Sequence, residues 1–170
     1  MSFLQITGLS ARQKGTGFPI LRDVSLSVAA GKVHGLVGES GAGKSMIGKA
    51  VLGILPPSVE ITKGAIDLDG VDLLRLPPAE RRRRIGATAA LIPQDPLTAL
   101  NPSRRIGPQI TNRLVDILGW DRARAKARAL ELLHEVQIPD PERVLRSYPH
   151  ELSGGMRQRV LIASAFAAEP

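Results

Sequence analysis

Polar and apolar positions follow two rhythms along the chain. Residues 3–9 and 24–28 alternate, the second with Val24, Leu26 and Val28 on one face, and predict two strands. Gln13-Lys14-Gly15-Thr16-Gly17 between them is turn material, and so is Ala30-Gly31-Lys32. Val33-His34-Gly35-Leu36-Val37 is a short, mostly apolar run of the kind that forms a buried strand. From Ser45 to Leu55 the rhythm changes, because Met46, Ile47, Ala50, Val51 and Ile54 recur at helical spacing until Pro56-Pro57 stop the helix. Residues 33–55 therefore read strand, glycine-rich loop, helix.

Residues 64–70 alternate again and end in Asp69-Gly70, a strand running into a turn. Ala87 to Pro93 is a second candidate for a buried strand. Residues 97–160 offer no convincing strand. They do offer helical stretches, notably Arg122 to Val136, which Asp121 is placed to cap and in which Ala123, Ala127, Leu130 and Leu133 share a face. The expected plan is an α/β core over 1–96, a helical subdomain over 97–160, and the start of a return to the core over 161–170, hinged at Asp95-Pro96. No internal repeat interrupts it.

With 170 residues the chain is one domain, or one domain with a small lobe. Apolar residues at 43% and charged residues at 23% exclude disordered, collagen-like and coiled-coil classes. Aromatic residues at 3% argue against reading single strands of nucleic acid by stacking. A net charge of +7 admits phosphate ligands, nucleic acid or an anionic membrane and selects none of them. The absence of cysteine removes disulfides, thiolate metal sites and cysteine nucleophiles. The start shows no secretory pattern, and the apolar run Val160 to Ala168 is far shorter than the roughly 20 residues of a membrane span.

The chemistry begins at Gly38-Glu39-Ser40-Gly41-Ala42-Gly43-Lys44-Ser45, a full match to G-x-x-x-x-G-K-[ST]. Its glycines let the backbone curl so that successive N–H groups face phosphate oxygens, and the following helix adds its positive end. Residues 38 to 46, Met46 included, are the expected cradle, with Lys44 reaching the β- and γ-phosphates and the Ser45 hydroxyl on Mg²⁺. The chain's own residue frequencies predict only about 0.006 accidental matches to this pattern. A second signal, Leu152-Ser153-Gly154-Gly155-Met156-Arg157-Gln158-Arg159, precedes the apolar run at 160. Ser153 suits a helix cap, and Gly154 and Gly155 leave backbone N–H groups open at a positive helix end, a second anion site; a capped helix after a flexible turn explains the same residues.

In this order and at this separation the two motifs resemble the ATP-binding cassette family, whose signature sequence is LSGGQ. The resemblance runs over the whole chain. It implies an α/β fold: a P-loop nucleoside triphosphate hydrolase core with an inserted helical subdomain, incomplete at the C-terminus. It also implies an ATPase that uses ATP and Mg²⁺ to energise a membrane importer. Gln94, in Ile92-Pro93-Gln94-Asp95-Pro96, resembles the family glutamine that contacts Mg²⁺ and the attacking water and couples the helical lobe to a membrane partner. The implied catalytic pair is Lys44 and Gln94, and the implied metal contacts are Ser45 and Gln94. Asp95 to Pro102 and Tyr148-Pro149-His150-Glu151-Leu152 resemble the subgroup importing dipeptides, oligopeptides, nickel and related solutes.

Implied partners are transmembrane permease subunits and a second ATP-binding subunit, identical or homologous, closing head to tail so that Ser153 and Gly155 of one face the γ-phosphate held by Lys44 of the other. No nucleic acid is expected, and the implied location is the cytoplasmic face of the inner membrane. Met156 stands where glutamine is commonest, which leaves phosphate contact to Ser153 and Gly155. Phe18 is either the aromatic that stacks on adenine or a core residue. The family's Mg²⁺-associated Asp, catalytic Glu, loop Asp and switch His are expected beyond Pro170, and His34, His134 and His150 do not match the switch. Residues 1–170 alone are therefore expected to bind nucleotide weakly and hydrolyse little. Two other readings stay open: a non-hydrolysing, nucleotide-dependent interaction module, and a soluble family member of DNA repair or translation. The run Arg81 to Arg84 is read as a solvated helix face, and Asp67 with Asp69 is given no chemistry.

Overall fold

A computed structural model describes residues 2–93 and 99–170, which form two compact units, Met1–Arg82 and Arg83–Pro170. The first is built on a four-stranded antiparallel sheet in the order β2-β1-β3-β4, from β1 (Ser2–Gln13), β2 (Pro19–Ala29), β3 (Val59–Leu68) and β4 (Val71–Asp72). Alternation sets the buried face: Ile6, Leu9 and Ala11 of β1, Leu21 of β2 and Ile66 and Leu68 of β3 are buried. Asp69 and Gly70 both take positive φ, 52° and 78°, so the Asp-Gly pair makes the two-residue hairpin that its sequence predicts. Asp67 accepts the Gly70 amide at 2.9 Å, which gives this carboxylate a turn-forming role. Where β3 crosses the bulge in β1, Gly64 has φ 100°, and a Cβ there would lie 2.6 Å from Leu9 Cα, so only glycine fits.

Helix α1 (Lys44–Val51) stops earlier than the spacing of its apolar residues predicts. Gly53 takes φ 66°, its amide bonds to Ala50 O, and the Ile54 amide reaches back to Lys49 O at 2.9 Å. This left-handed cap ends the helix before the prolines are reached. Helix α2 (Pro78–Thr88) carries the arginine run; Arg82 and Arg83 are exposed and Ile85 is its buried residue.

The second unit is helical: α3 (Ile106–Leu118), α4 (Arg122–Glu135), α5 (Pro141–Arg146), a single 3-10 turn at Pro149–Glu151, and α6 (Gly154–Phe166). Ile106, Ile110, Leu114, Leu132, Leu133, Val144 and Val160 form its core with almost no exposure. Asp121 caps α4 as expected, accepting the Arg124 amide at 2.9 Å. The buried face of α4, however, is Ala125, Ala129, Leu132 and Leu133, while Ala123 and Ala127 face solvent. Alanines at 123, 125, 127 and 129 alternate with basic residues and favour neither face. The adjacent leucines at 132 and 133 decide the orientation.

Two expected buried strands do not form. Residues 33–39 have no regular structure, and Val33 and Val37 are fully exposed. Residues 87 and 88 end α2, and Leu91 and Ile92 beyond it are about half exposed, at 48% and 47%. An apolar run becomes a strand only when neighbours pair its N–H and C=O groups, and no described strand lies beside either run.

Candidate functional site: a phosphate loop and a second helix end with open glycines

In the first unit, residues 38–43 turn through two left-handed glycines, Gly41 (φ 87°) and Gly43 (φ 85°), into α1. Gly43 is also held sterically, since a Cβ would meet Leu21 Cδ2 at 3.1 Å and Ile20 O at 3.2 Å. The start of β2 thus abuts the loop. Gly43 offers no side-chain cap, and the first turn of α1 contains no acidic residue. Among the described residues, the Lys44 and Ser45 amides have no acceptor, whereas the Met46 amide donates to Gly43 O at 2.9 Å. The Lys44 ammonium folds back across the loop and donates to Gly38 O at 2.7 Å and to Glu39 O. Ser40, Gly41, Gly43, Lys44, Ser45 and Met46 line a hollow of about 340 Å³.

Open amides, a positive helix end and an ammonium with no acid in the first turn fit the phosphates of a nucleotide. The exposed Ser45 at the same helix end offers an oxygen ligand of the kind that Mg²⁺ takes. Phe18, just before β2, is 64% exposed, which removes the core alternative for it.

In the second unit, Ser153 caps α6 with extended backbone, φ −63° and ψ 161°, and its hydroxyl accepts the Met156 amide at 3.3 Å. Gly154 and Gly155 are exposed, and a Cβ on either would touch nothing within 4 Å. Bonds that the motif alone did not disclose brace this end. Glu151 accepts the Tyr148 amide at 2.6 Å, and Arg157 Nε donates to Leu152 O, immediately before Ser153, at 2.9 Å. Arg159 donates to Gln137 O at 2.9 Å, and the Ile106 amide to Ser147 O at the same length. Tyr148 stands where the capping-box pattern has Ser or Thr, so the sequence pointed neither to the Glu151 contact nor to the target of Arg157.

The cradle residues 38–46 thus gather at one helix end of the first unit, and Ser153 to Gly155 at one helix end of the second. Gln94 lies outside the described residues. Among the described residues no cluster of three or more His, Asp or Glu side chains forms a metal site.

A phosphate loop leading into a helix in a unit built on an antiparallel sheet, together with a helical unit in which a serine-capped helix begins with two glycines, is the architecture of a nucleotide-binding cassette. The chain belongs to the ABC transporter family, whose model matches residues 21–170. It is 47% identical over 151 residues to the probable D,D-dipeptide transport ATP-binding protein DdpD of Escherichia coli (strain K12), covering 88% of this chain and 46% of the relative. It is 42% identical over 172 residues to the dipeptide transport ATP-binding protein DppD of Haemophilus influenzae, covering 100% of this chain and 52% of that protein. The chain spans about half the length of these curated relatives.

Among solved structures, an ATP-binding subunit of an ABC transporter matches at 31% identity with a TM-score of 0.74, over 99% of this chain and 63% of that one. A dimeric ATP-binding cassette in a post-hydrolysis state, bound to ADP and Pi, matches at 23% identity and a TM-score of 0.80, over 98% and 70%. The latter shows the fold alone. The mixed α/β cassette fold expected from the sequence is the fold found, and the family resemblance read from the two motifs is a family membership.

Proposed function

We propose that this chain is the ATP-binding part of an importer of dipeptides or related peptides, an ATPase that works with membrane permease subunits and a second ATP-binding subunit. The observation that carries the reading is the hollow at residues 38–46, where open amides, the Lys44 ammonium and the start of α1 converge. The names of the relatives, dipeptide and D,D-dipeptide transport ATP-binding proteins, supply the solute class.

In this reading Lys44 exchanges the carbonyls of Gly38 and Glu39 for the β- and γ-phosphates, and the amides at 44 and 45 hold the bridging oxygens. Ser45 and Gln94 would hold Mg²⁺, which would supply charge neutralisation at the phosphate oxygens. Phe18, exposed beside the loop, offers a face for adenine. Ser153 and the Gly154 and Gly155 amides close on the γ-phosphate held by a second subunit, so that each site needs both chains. Gln94 then links the state of the nucleotide to the permease at the cytoplasmic face of the membrane. Among the described residues no helix is long and apolar enough to cross a membrane.

Calorimetric titration of ATP with Mg²⁺ into the chain, with Lys44→Ala as control, tests the reading. Binding that the variant loses supports it, while equal binding by both proteins moves the nucleotide site elsewhere. Phosphate release measured on the intact protein separates an ATPase from a nucleotide-dependent interaction module.

A further inference from the structure

Most of the cationic side chains on helices α3 to α6 are committed to a partner. Arg113 donates to Gly86 O at 3.2 Å and to Ala89 O at 3.3 Å, Arg157 to Leu152 O and Arg159 to Gln137 O. Arg128 pairs with Glu131, Glu135 and Glu169, Arg143 pairs with Asp140, and Arg124 lies over the Trp120 ring at 3.8 Å. That leaves Arg122 and Lys126 on α4 and Arg146 at the end of α5. Among the described residues these three make no ion pair, side-chain hydrogen bond or ring contact.

All three line a single hollow of about 390 Å³ formed by α3, α4 and α5. Helices α3 and α5 close one end of it: a Cβ on Gly107 would stand 2.9 Å from Leu145 O, and the Ile106 amide donates to Ser147 O at 2.9 Å. Pro108, Val115 and Leu145 give the hollow apolar surface, and Asn112 adds a carboxamide. Among the described residues of the lining, Asp116 is the single acid. Arg122 and Lys126 stand four residues apart on one helix face, a like-charge pair that weakens a helix, and Arg146 adds a third positive charge from α5. A volume of this size suits a small molecule, and guanidinium and ammonium groups are the donors that oxyanions take.

We propose that this hollow binds a small organic dianion: one compact oxyanion of the phosphate monoester kind, held by Arg122, Lys126 and Arg146, on an apolar body seated against Val115 and Leu145. Three cations against one carboxylate leave the two positive charges that a dianion matches. The site shares no residue with the hollow at 38–46, which lies in the other compact unit, and it does not depend on the function proposed for that loop.

The test uses phenyl phosphate as the probe, above its second pKa of about 6, with binding to the chain mapped by amide NMR shifts and measured by calorimetry. Shifts are expected at residues 107–116, 122–126 and 145–147. Affinity is expected to be at least about fivefold higher than for inorganic phosphate, which lacks the apolar body, or benzoate, which has the body but one charge. Arg122→Gln and Arg146→Gln, both at exposed positions, should each weaken binding about twofold to fivefold, the worth of one screened charge. Asp116→Asn should tighten it about twofold, a gain that damage to the fold would not produce. Absence of shifts on α3, α4 and α5, shifts confined to 38–46, phenyl phosphate binding no tighter than either control, affinity unchanged in both glutamine variants, or affinity not raised by Asp116→Asn overturns the inference.

Discussion

The two helix ends that present open glycines are built in contrasting ways. At the start of α6, residues of the same helical unit shape the turn: Glu151 holds the Tyr148 amide, Arg157 holds the Leu152 carbonyl, and Ser153 caps the helix. At the start of α1, residues 31–42 are exposed throughout, and the side-chain bonds across the loop come from Lys44. The signature end is shaped before any ligand arrives. The loop at 38–46 is held by the Lys44 ammonium, which under the proposed function its ligand would claim, so that nucleotide and loop would order one another.

Four substitutions probe that contrast, taken from the largest expected effect to the smallest. Leu114→Ala, which empties a fully buried position in the helical core, should cost about 2–5 kcal/mol of stability in denaturant unfolding. Its damage should fall on the amides of the helical unit, including those at 153–156, in a hydrogen-exchange map. Lys44→Ala removes the ammonium from the phosphate loop, and ATP-Mg²⁺ affinity should fall about a hundredfold, given roughly 1.5–3 kcal/mol per charged hydrogen bond. The thermal unfolding of the helical unit should not move.

Gly43→Ala forces a side chain into φ 85° against Ile20 O and Leu21. About 1–3 kcal/mol of strain should appear as a lower Tm and weaker nucleotide binding together. Glu151→Ala frees the Tyr148 amide and should cost about 1 kcal/mol, seen as faster exchange at 148–153 with no change in ATP affinity. Were Glu151→Ala to weaken nucleotide binding by the isolated chain as much as Gly43→Ala does, the division between a self-shaped end and a ligand-shaped end would be gone.

Much of this molecule is written in local pattern. The alternation of β1 and β2, the Asp69-Gly70 hairpin, the cap at Asp121 and the cap at Ser153 each depend on neighbours within a few residues, and each is found. What local pattern cannot supply is a partner. Residues 33–37 and 87–93 are apolar enough to predict buried strands, yet a strand exists only beside another, and pairing is a property of the whole sheet. The face of α4 was hidden for a related reason, because alanines at every second position fit either side until Leu132 and Leu133 pack.

The run from Gly38 to Ser45, which we propose as the phosphate site, stood out in the sequence because the chemistry proposed for it is carried by backbone and one contiguous run. Its Lys44 contacts and the open amides at 44 and 45 are geometry added to that run. The grip of Arg113 on Gly86 and Ala89 spans 27 and 24 residues and leaves no trace in any local pattern.

Hydrogen exchange of the chain with and without ATP-Mg²⁺, at concentrations where it is monomeric, tests the central claim most directly. The account predicts new protection over residues 38–46, lost in Lys44→Ala, with the amides at 153–156 unchanged until a second subunit closes on them. Protection that appears first or equally at 153–156, or none at 38–46 under saturating nucleotide, would contradict it.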